Sequence, residues 1–116
     1  MVFLGREGKI NKERREMIGQ NTDLIHEVAV TVDGEPLDVS KVDLVEFSFD
    51  EMKKMYPSAD VNFEGGSFFV HLTQEETQEF GDNVTVQIRV KFMNGNVVLS
   101  NRRTVPVNEA LSKEII

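Results

Sequence analysis

The sequence predicts an all-β fold in which two antiparallel sheets pack face to face as a sandwich. Five or six strand-like segments separated by turn residues fit within about 90 residues, a spacing typical of sandwiches. The clearest segment is residues 84–92, in which five apolar residues alternate with four polar ones. Long helical segments do not alternate with the strands, which argues against a parallel α/β sheet. We therefore expect an immunoglobulin-like β-sandwich with short helical turns and an N-terminal arm or helix.

Length and composition are those of one globular domain. The chain has 116 residues, of which 40% are hydrophobic and 28% are charged. It contains no Cys, which excludes a disulfide scaffold, a thiolate zinc site and a cysteine nucleophile. No stretch approaches the roughly 18 apolar residues of a membrane span, and charged residues follow the first apolar ones too soon for an export signal. We expect a soluble domain with no export signal and no membrane partner.

Charge is distributed unevenly along the chain, whose formal net charge is −7. Residues 1–20 carry five basic and three acidic residues, whereas the remaining residues carry eight basic and seventeen acidic ones. We expect two parts, a basic N-terminal arm or short helix over residues 1–20 and a β-sandwich domain over residues 21–116. An acidic body repels phosphate backbones, and three Glu residues dilute the basic segment, so no nucleic-acid partner is expected.

Residues 1–20 are open to two interpretations. They form either a mobile leader or a short helix over about residues 11–18. The helix places four candidate interface residues roughly on one face: Ile10, Arg14, Met17 and Ile18. Because a short isolated helix is marginally stable in water, this helix needs the acidic body of the same chain or of a neighbour as a docking surface.

The first strands of the sandwich are marked by alternation and by turn residues. Residues 28–32 alternate large apolar side chains with small or polar ones, and Asp33-Gly34 supplies a turn. Residues 42–49 are rich in β-branched and aromatic side chains, but their alternation shifts phase near Leu44. This shift predicts either a β-bulge near Leu44 or a strand that is partly buried on both faces.

Short helical turns are predicted at two places. Residues 50–56 look like one or two helical turns, with Asp50 as the cap and Pro57 as the end. After a predicted strand over residues 67–72, Thr73-Gln-Glu-Glu76 has the capping-box pattern, in which the Thr and Glu side chains accept each other's backbone N–H. This helical turn is expected to carry the chain from one sheet to the other.

A hairpin is predicted around Asn94-Gly95, the preferred residue pair of a two-residue type I′ turn. A two-residue loop brings apolar residues opposite one another in three pairs: Phe92–Val97, Val90–Leu99 and Val84–Val105. Pro106 lacks the N–H that a ladder needs, which predicts that the strand ends there or lies at an edge. Residues 108–116 are interpreted as a short helix or a docking strand.

No residue pattern points to catalysis or to a metal or cofactor site. His26 and His71 lie in predicted strands without the His-x-His or His-x-x-x-His spacing of a metal site. The acidic pairs Asp50-Glu51 and Glu75-Glu76 fall where helix N-termini favour negative charge. Gly65-Gly66 is not followed by the residues of a phosphate loop. We therefore predict that the protein is not an enzyme and has no catalytic, cofactor-binding or metal-binding residues.

The order of motifs in the acidic body resembles that of a known group of proteins. The motifs are a strand and turn over residues 69–77, a strand over 84–90, Asn94-Gly95 with Ser100, Val105-Pro-Val107, and an early turn over 32–39. Together they span about residues 22–112. They resemble small prophage proteins of Gram-positive bacteria and the N-terminal sandwich domain of phage baseplate upper proteins.

This resemblance implies a non-catalytic virion structural protein, a tail or baseplate assembly module that acts through self-association and contacts with other virion or tail proteins. It also implies a homo-oligomer found in the host cytoplasm during assembly and then in the virion. The alternative is a β-sandwich module that binds a saccharide or a partner protein. The absence of Trp and the single Tyr remove the usual sugar-stacking side chains and favour the structural role.

Overall fold

The computed structural model describes residues 2–4 and 17–116, and β-strands dominate the described chain. In chain order the strands are β1 (Val2–Leu4), β2 (Ile18–Gly19), β3 (Leu24–Val32), β4 (Glu35–Pro36), β5 (Val42–Phe49), β6 (Met52–Tyr56), β7 (Val61–Glu64), β8 (Ser67–Leu72), β9 (Asn83–Phe92), β10 (Val97–Leu99) and β11 (Arg103–Asn108). Helical structure is limited in this part of the chain to a 3-10 turn over Val39–Lys41 and to α1 over Gln74–Gln78.

The strands form two sheets. The first sheet has the order β1-β3-β8-β7, with β4 beside β3, and the second has the order β2-β11-β9-β5-β6, with β10 beside β9. β1 runs parallel to β3 and β2 runs parallel to β11, whereas the other strand pairs of the described residues are antiparallel. The orders β3-β8-β7 and β11-β9-β5 match strands B-E-D and G-F-C of immunoglobulin-type sandwiches, whereas β1 differs from strand A because it runs parallel to β3. The predicted all-β sandwich is therefore confirmed.

The hydrophobic core lies between the sheets and uses alternate positions of their strands. β9 contributes four side chains with no exposed surface: Val84, Val86, Ile88 and Val90. The residues between them are half-buried or exposed, so the period-two interpretation of this segment is confirmed. From the opposite sheet, fully buried Phe68 reaches Phe47 with 5.3 Å between ring centroids and Tyr56 with 5.2 Å. Such edge-to-face contacts add to the burial that holds the two sheets together.

In the first half of the sandwich, the predicted turn is present, and so is the bulge that was one of the two alternatives for residues 42–49. Asp33 and Gly34 have φ values of 51° and 84°, the left-handed conformations that a two-residue type I′ loop requires between β3 and β4. In β5, Val42 pairs with Phe92 of β9, and Leu44 pairs with Lys91, the residue before Phe92. The register therefore shifts between residues 42 and 44. The phase slip in the sequence is therefore a β-bulge.

The helical turns predicted over residues 50–56 are wrong, because this segment contains β6. Asp50 has a φ of 55°, its N–H donates to the Thr85 carbonyl oxygen at 2.8 Å, and its carboxylate accepts the Thr85 N–H at 2.9 Å. These contacts turn the chain back so that Met52 pairs with Phe49. The alternation of β6 was hidden from the sequence because its central inward position holds Lys54, which is only 6% exposed.

The hairpin after β9 has a three-residue loop in place of the expected two. Phe92 accepts the N–H of Gly95 at 2.9 Å and donates its own N–H to Asn96 at 2.8 Å, and Gly95 has a φ of 92°. These are the marks of a type I turn followed by a G1 bulge. The Asn94 side-chain oxygen supports the loop by accepting the Asn96 N–H at 2.9 Å.

This longer loop moves the register of β10 by one residue from the expected pairing. The observed pairs are Val97–Lys91, Val98–Val90 and Leu99–Arg89. The predicted pairs Phe92–Val97 and Val90–Leu99 are therefore wrong. The pair Val84–Val105 is confirmed, because a second irregularity between β10 and β11 restores the register.

That second irregularity is a bulge around buried Ser100. Four residue steps lead from Leu99 to Arg103, whereas the opposing segment of β9, from Arg89 to Val86, has three. The side formed by β10 and β11 therefore contains one extra residue. The Ser100 hydroxyl accepts the Ile88 N–H at 2.8 Å, and the Ser100 N–H donates to the Ile88 carbonyl at 2.8 Å. β10 and β11 are thus two halves of one strand position beside β9.

The predicted capping box is confirmed. The Thr73 hydroxyl accepts the Glu76 N–H at 3.2 Å, and the Glu76 carboxylate accepts the Thr73 N–H at 2.8 Å. α1 follows directly and leads from β8 in the first sheet to β9 in the second. One side chain of α1, Thr77, is fully buried. Its hydroxyl accepts the Thr22 N–H at 2.8 Å and donates to the Thr22 carbonyl at 2.6 Å.

The C-terminal segment 109–116 forms neither the helix nor the strand expected of it. Amide side chains hold it instead. Gln20 donates to the Phe80 carbonyl at 2.9 Å and accepts the Ala110 N–H at 3.1 Å, and Asn21 donates to the Glu114 carbonyl at 2.7 Å. Because these contacts satisfy backbone groups of the segment individually, no regular element is needed.

Candidate functional site

The four predicted interface residues fall into three situations. Ile10 and Arg14 lie outside the described residues, so their role stays a prediction. Met17 is 49% exposed, and its side chain is available for contact. Ile18 belongs to β2, pairs with Val107 and has no exposed surface. Its side chain therefore packs in the core of its own chain, which corrects the expectation that it ends a helix and faces a partner.

The most exposed apolar strand of the described chain is β10. Val97 is 55% exposed and Leu99 is 57% exposed. They lie opposite Lys91 and Arg89 of β9, so their side chains point to the outer face of the second sheet. Val98 points the other way, opposite buried Val90, and packs against the core. Residues 97–99 are called the β10 edge below.

Within the described residues, the backbone of the β10 edge has hydrogen-bonding groups on its outer side that no strand uses. Asn96 and Ser100 hydrogen bond to Phe92 and Ile88 of β9. In an antiparallel ladder, hydrogen-bonded pairs alternate with pairs whose groups point away. The N–H and C=O groups of Val97 and Leu99 therefore point away from β9. β10 pairs only with β9 within the described residues.

Among residues 2–4 and 17–116, nothing gives the β10 edge the usual protection of an edge strand. Natural edges are blunted by charged side chains, by Pro or by a covering segment. The neighbouring edge position on β11 contains Pro106 and is covered by β2, and the edge strand β6 carries Lys53 and Lys54. In contrast, the segment Asn96-Val-Val-Leu-Ser100 has no charge and no Pro. Such a segment is a template for pairing with another strand.

The charges beside the β10 edge are neutralised within the chain. Arg89 forms an ion pair with Glu46 at 2.9 Å, and Lys91 approaches Asp43 at 4.0 Å. Both acidic residues belong to β5, on the side of β9 away from β10. An approaching strand therefore meets backbone groups and two aliphatic side chains whose cross-strand neighbours, Lys91 and Arg89, each have a carboxylate partner.

The sequence did not predict this site. The Val-Val-Leu run after Asn94-Gly95 indicates a strand, but alternation does not tell which strands lie at an edge. The one-residue shift of the hairpin also reverses the expected orientation, because it turns Val97 and Leu99 outward and Val98 inward. The signal that was available is the lack of charged residues between positions 96 and 100.

A second candidate site is a shallow concavity of about 340 Å³ on the outer face of the first sheet. Its lining combines apolar and polar side chains: Ile25, Ala59, Asp60, Asn62, Glu64, Phe69 and His71. Ile25 is 66% exposed and pairs with His71 across β3 and β8. The His71 Nε2 lies 2.8 Å from an Asp23 carboxylate oxygen. Within the described part of the chain, no group of three or more His, Cys, Asp or Glu side chains is placed to hold a metal ion.

A buried cation, Lys54, lies at the end of the sandwich that contains α1. Its Nζ is 2.8 Å from a Glu76 carboxylate oxygen and 3.2 Å from one of Asp60. Burial lowers the pKa of Lys54, but the hydrogen bonds to Glu76 and Asp60 outweigh it and raise the pKa overall. Burial likewise raises the pKa of Glu76, and the contacts with Lys54 and Thr73 outweigh it and lower that pKa. Lys54 and Glu76 therefore stay ionised at neutral pH, and their contact joins β6 to α1.

Among the described residues, no helix combines the length and apolar character needed to cross a membrane. The sequence and the fold were compared with protein-family models, with curated proteins and with solved structures, and no match was found.

Proposed function

We propose that this protein is a non-catalytic structural module that acts through self-association and protein–protein contacts. The observation that carries this proposal is the β10 edge, where two exposed aliphatic side chains flank outward backbone groups that pair with no strand of the described chain. Edge strands of this kind associate by extending a sheet across two chains. The neutralised charges of Arg89 and Lys91 remove the repulsion that would oppose such contact.

Within this role, we assign the module to the assembly of a phage or prophage tail or baseplate. The support is the order of motifs over residues 22–112, which resembles small prophage proteins and the N-terminal domain of baseplate upper proteins. Its partners are then further copies and other virion or tail proteins, first in the host cytoplasm and later in the virion. Catalysis has no part in this role.

The test is the solution mass of the full chain by light scattering, from about 10 µM to about 1 mM, the range suited to a small interface. We expect a concentration-dependent oligomer. Leu99→Lys should keep the protein monomeric, because a charged side chain on an edge opposes strand pairing. Ile25→Lys is the matched control, since Ile25 is similarly exposed but lies on the other sheet. A monomer at every concentration refutes self-association.

Point variants are a cleaner test than removal of the N-terminal segment. A chain that starts at Thr22 lacks β2, and with it the fully buried side chain of Ile18. Loss of a buried aliphatic side chain costs about 2–5 kcal/mol. Such a truncation would change stability and association together, whereas Leu99→Lys alters only an exposed position.

The concavity on the first sheet favours a second candidate function, the binding of a saccharide or a partner protein. Phe69 and Ile25 offer apolar surface, while Asn62 and Asp60 offer polar groups beside it. Titration with glucose-, galactose- and N-acetylglucosamine-based oligosaccharides, followed by amide NMR shifts, tests the saccharide form. Shifts confined to β3, β7 and β8 together with a monomeric mass would favour this function over self-association.

A further inference from the structure

We infer that the β10 edge pairs with the β10 edge of a second copy, antiparallel and about a two-fold axis at Val98. This inference rests on the proposed self-association and names its geometry. A two-fold axis makes the contact isologous, so the same segment serves both chains and the assembly closes as a dimer. The two second sheets then become one sheet that continues across the axis.

The backbone geometry selects this register. The outward-pointing groups belong to Val97 and Leu99, so these residues must form the hydrogen-bonded pairs of the new ladder. An axis through Val98 places Val97 opposite Leu99 of the second copy, and Leu99 opposite Val97 of that copy. Each pair exchanges two N–H to C=O bonds, which gives four bonds in all. Registers centred on residue 97 or 99 align fewer of these groups.

The side chains suit the same register. Val97 and Leu99 already share the outer face of the sheet, so each new pair brings a Val against a Leu. Aliphatic cross-strand pairs stabilise antiparallel strands. The two Val98 side chains meet at the axis on the inner face, where each already packs against the core of its own chain. No polar or charged side chain is brought opposite an apolar one.

Charge also permits a second copy as the partner, although each chain carries a net charge of −7. Lys91 of one chain and Arg89 of the other are separated by three strand spacings, about 14 Å. That distance exceeds the Debye length of about 8 Å at physiological salt. Each of these cations also has its own carboxylate partner in β5. These two cations are therefore screened from each other across the axis, and each is paired within its own chain.

The size of the contact predicts its strength. Three residues per strand bury much less than the roughly 1,200 Å² of a stable, specific interface. The pairing is therefore weak between two isolated chains and is populated when chains are held at high local concentration, as in a larger assembly. A trapping experiment suits such a contact better than an affinity measurement.

Single-cysteine variants test the register, because the natural chain contains no Cys. In Val98→Cys, the two residues at the axis form a non-hydrogen-bonded pair with Cα atoms about 4.5 Å apart, within disulfide range. In Val97→Cys and Leu99→Cys, the identical residues lie about 8 Å apart across the axis, which is beyond that range. We expect Val98→Cys to crosslink at least tenfold faster under mild oxidation than either neighbour.

Two further variants show that the crosslink reports the proposed pairing. Leu99→Lys added to Val98→Cys should remove the crosslink, whereas Ile25→Lys added to Val98→Cys should leave its rate unchanged. Circular dichroism establishes that each variant is folded. The light-scattering test of Leu99→Lys uses a chain that keeps Val98. The β10 edge is therefore also tested without depending on whether the fold tolerates Cys at position 98.

The outcomes separate this inference from the proposed function. If Val97→Cys or Leu99→Cys crosslinks faster than Val98→Cys, the two-fold register is wrong. If the natural chain self-associates but none of the three variants crosslinks, the interface lies elsewhere and only this inference fails. If the chain is monomeric and no variant crosslinks, both fail. Fast crosslinking confined to Val98→Cys supports both.

Discussion

Replacement of Glu76 by Gln should destabilise the protein more than replacement of its partner Lys54 by Met. Lys54 is 6% exposed, and its ammonium group depends on Glu76 at 2.8 Å and on Asp60 at 3.2 Å. Asp60 is 50% exposed, so solvent screens its direct contact with Lys54, and an ion pair of this kind contributes about 1 kcal/mol or less. Glu76 is therefore the principal partner of this buried cation.

The expected magnitudes follow from which group is left behind. Glu76→Gln keeps a side chain that serves in a capping box, but it leaves the Lys54 charge buried with a weaker partner. We expect a loss of about 2–3 kcal/mol. Lys54→Met retains the aliphatic stem and leaves two carboxylates that still contact solvent. Its cost should stay within about 1 kcal/mol, because the Glu76 carboxylate left behind is 27% exposed and still accepts the Thr73 N–H, so it is not stranded without partners.

The dependence on pH gives the prediction a second readout. The pKa of folded Glu76 lies below its ordinary value of 4.5, so its contribution to stability is present above that value and is lost as the pH falls through the folded pKa. The pKa of folded Lys54 lies above its ordinary value of 10.5. Its contribution is present below 10.5 and is lost as the pH rises through the folded pKa. The effect of Glu76→Gln should therefore be full at about pH 7 and shrink in acid.

Urea unfolding followed by far-ultraviolet circular dichroism measures these differences, since the chain has no Trp for fluorescence. The set contains the natural chain, Lys54→Met, Glu76→Gln and the double variant, which should resemble Lys54→Met because it removes the stranded charge. The reasoning is refuted if Lys54→Met costs as much as Glu76→Gln. It is also refuted if the cost of Glu76→Gln is unchanged at the acid limit of the folded state.

Four more substitutions, of which Gly81→Ala is a control, test other parts of the fold by the same unfolding measurement. Thr77→Val removes the hydroxyl that hydrogen bonds to both backbone groups of Thr22, so it should cost about 1–2 kcal/mol of unfolding free energy and speed hydrogen exchange at the Thr22 amide. Unchanged exchange would contradict the view that this hydroxyl holds Thr22. Gly66→Ala should cost about 1 kcal/mol because its φ is 85°, whereas Gly81→Ala should be neutral or stabilising, since neither added Cβ meets an atom within 4 Å. Phe68→Leu should cost about 1–3 kcal/mol because it removes ring contacts from a fully buried site; a loss below about 0.5 kcal/mol would show that the core repacks.

The sequence was most informative where alternation alone determines structure. The inward residues of β9 were predicted correctly, because side-chain period is a local property that burial on one face imposes. The phase shift in β5 offered a bulge and partial burial on both faces as alternatives, and the structure shows the bulge. The capping box before α1 was predicted for a similar reason, since all of its bonds lie within four residues.

The failures have a common physical origin in contacts distant along the chain. β6 was predicted as helical because Lys54 occupies an inward position, and only the fold brings Glu76 near enough to make that position acceptable. The register of β10 was missed because Asn94-Gly95 is compatible with both a two-residue loop and a G1-bulge loop. The β10 edge also depends on the bulge at Ser100. The hydrogen bonds that hold this bulge join Ser100 to Ile88, which is distant along the chain.

The three-residue loop that ends in Gly95 has a consequence for how this surface can change. Side chains alternate strictly along a strand, so loss of one loop residue would exchange the inward and outward positions of β10. Val98 would become a surface residue, and Val97 and Leu99 would enter the core in one step. All three residues are aliphatic, so an apolar side chain would face the core in either arrangement. Deletion of a single codon in the hairpin would thus change which side chains form the docking face while every strand kept its place. Loop length is therefore a simple route by which evolution can alter this surface.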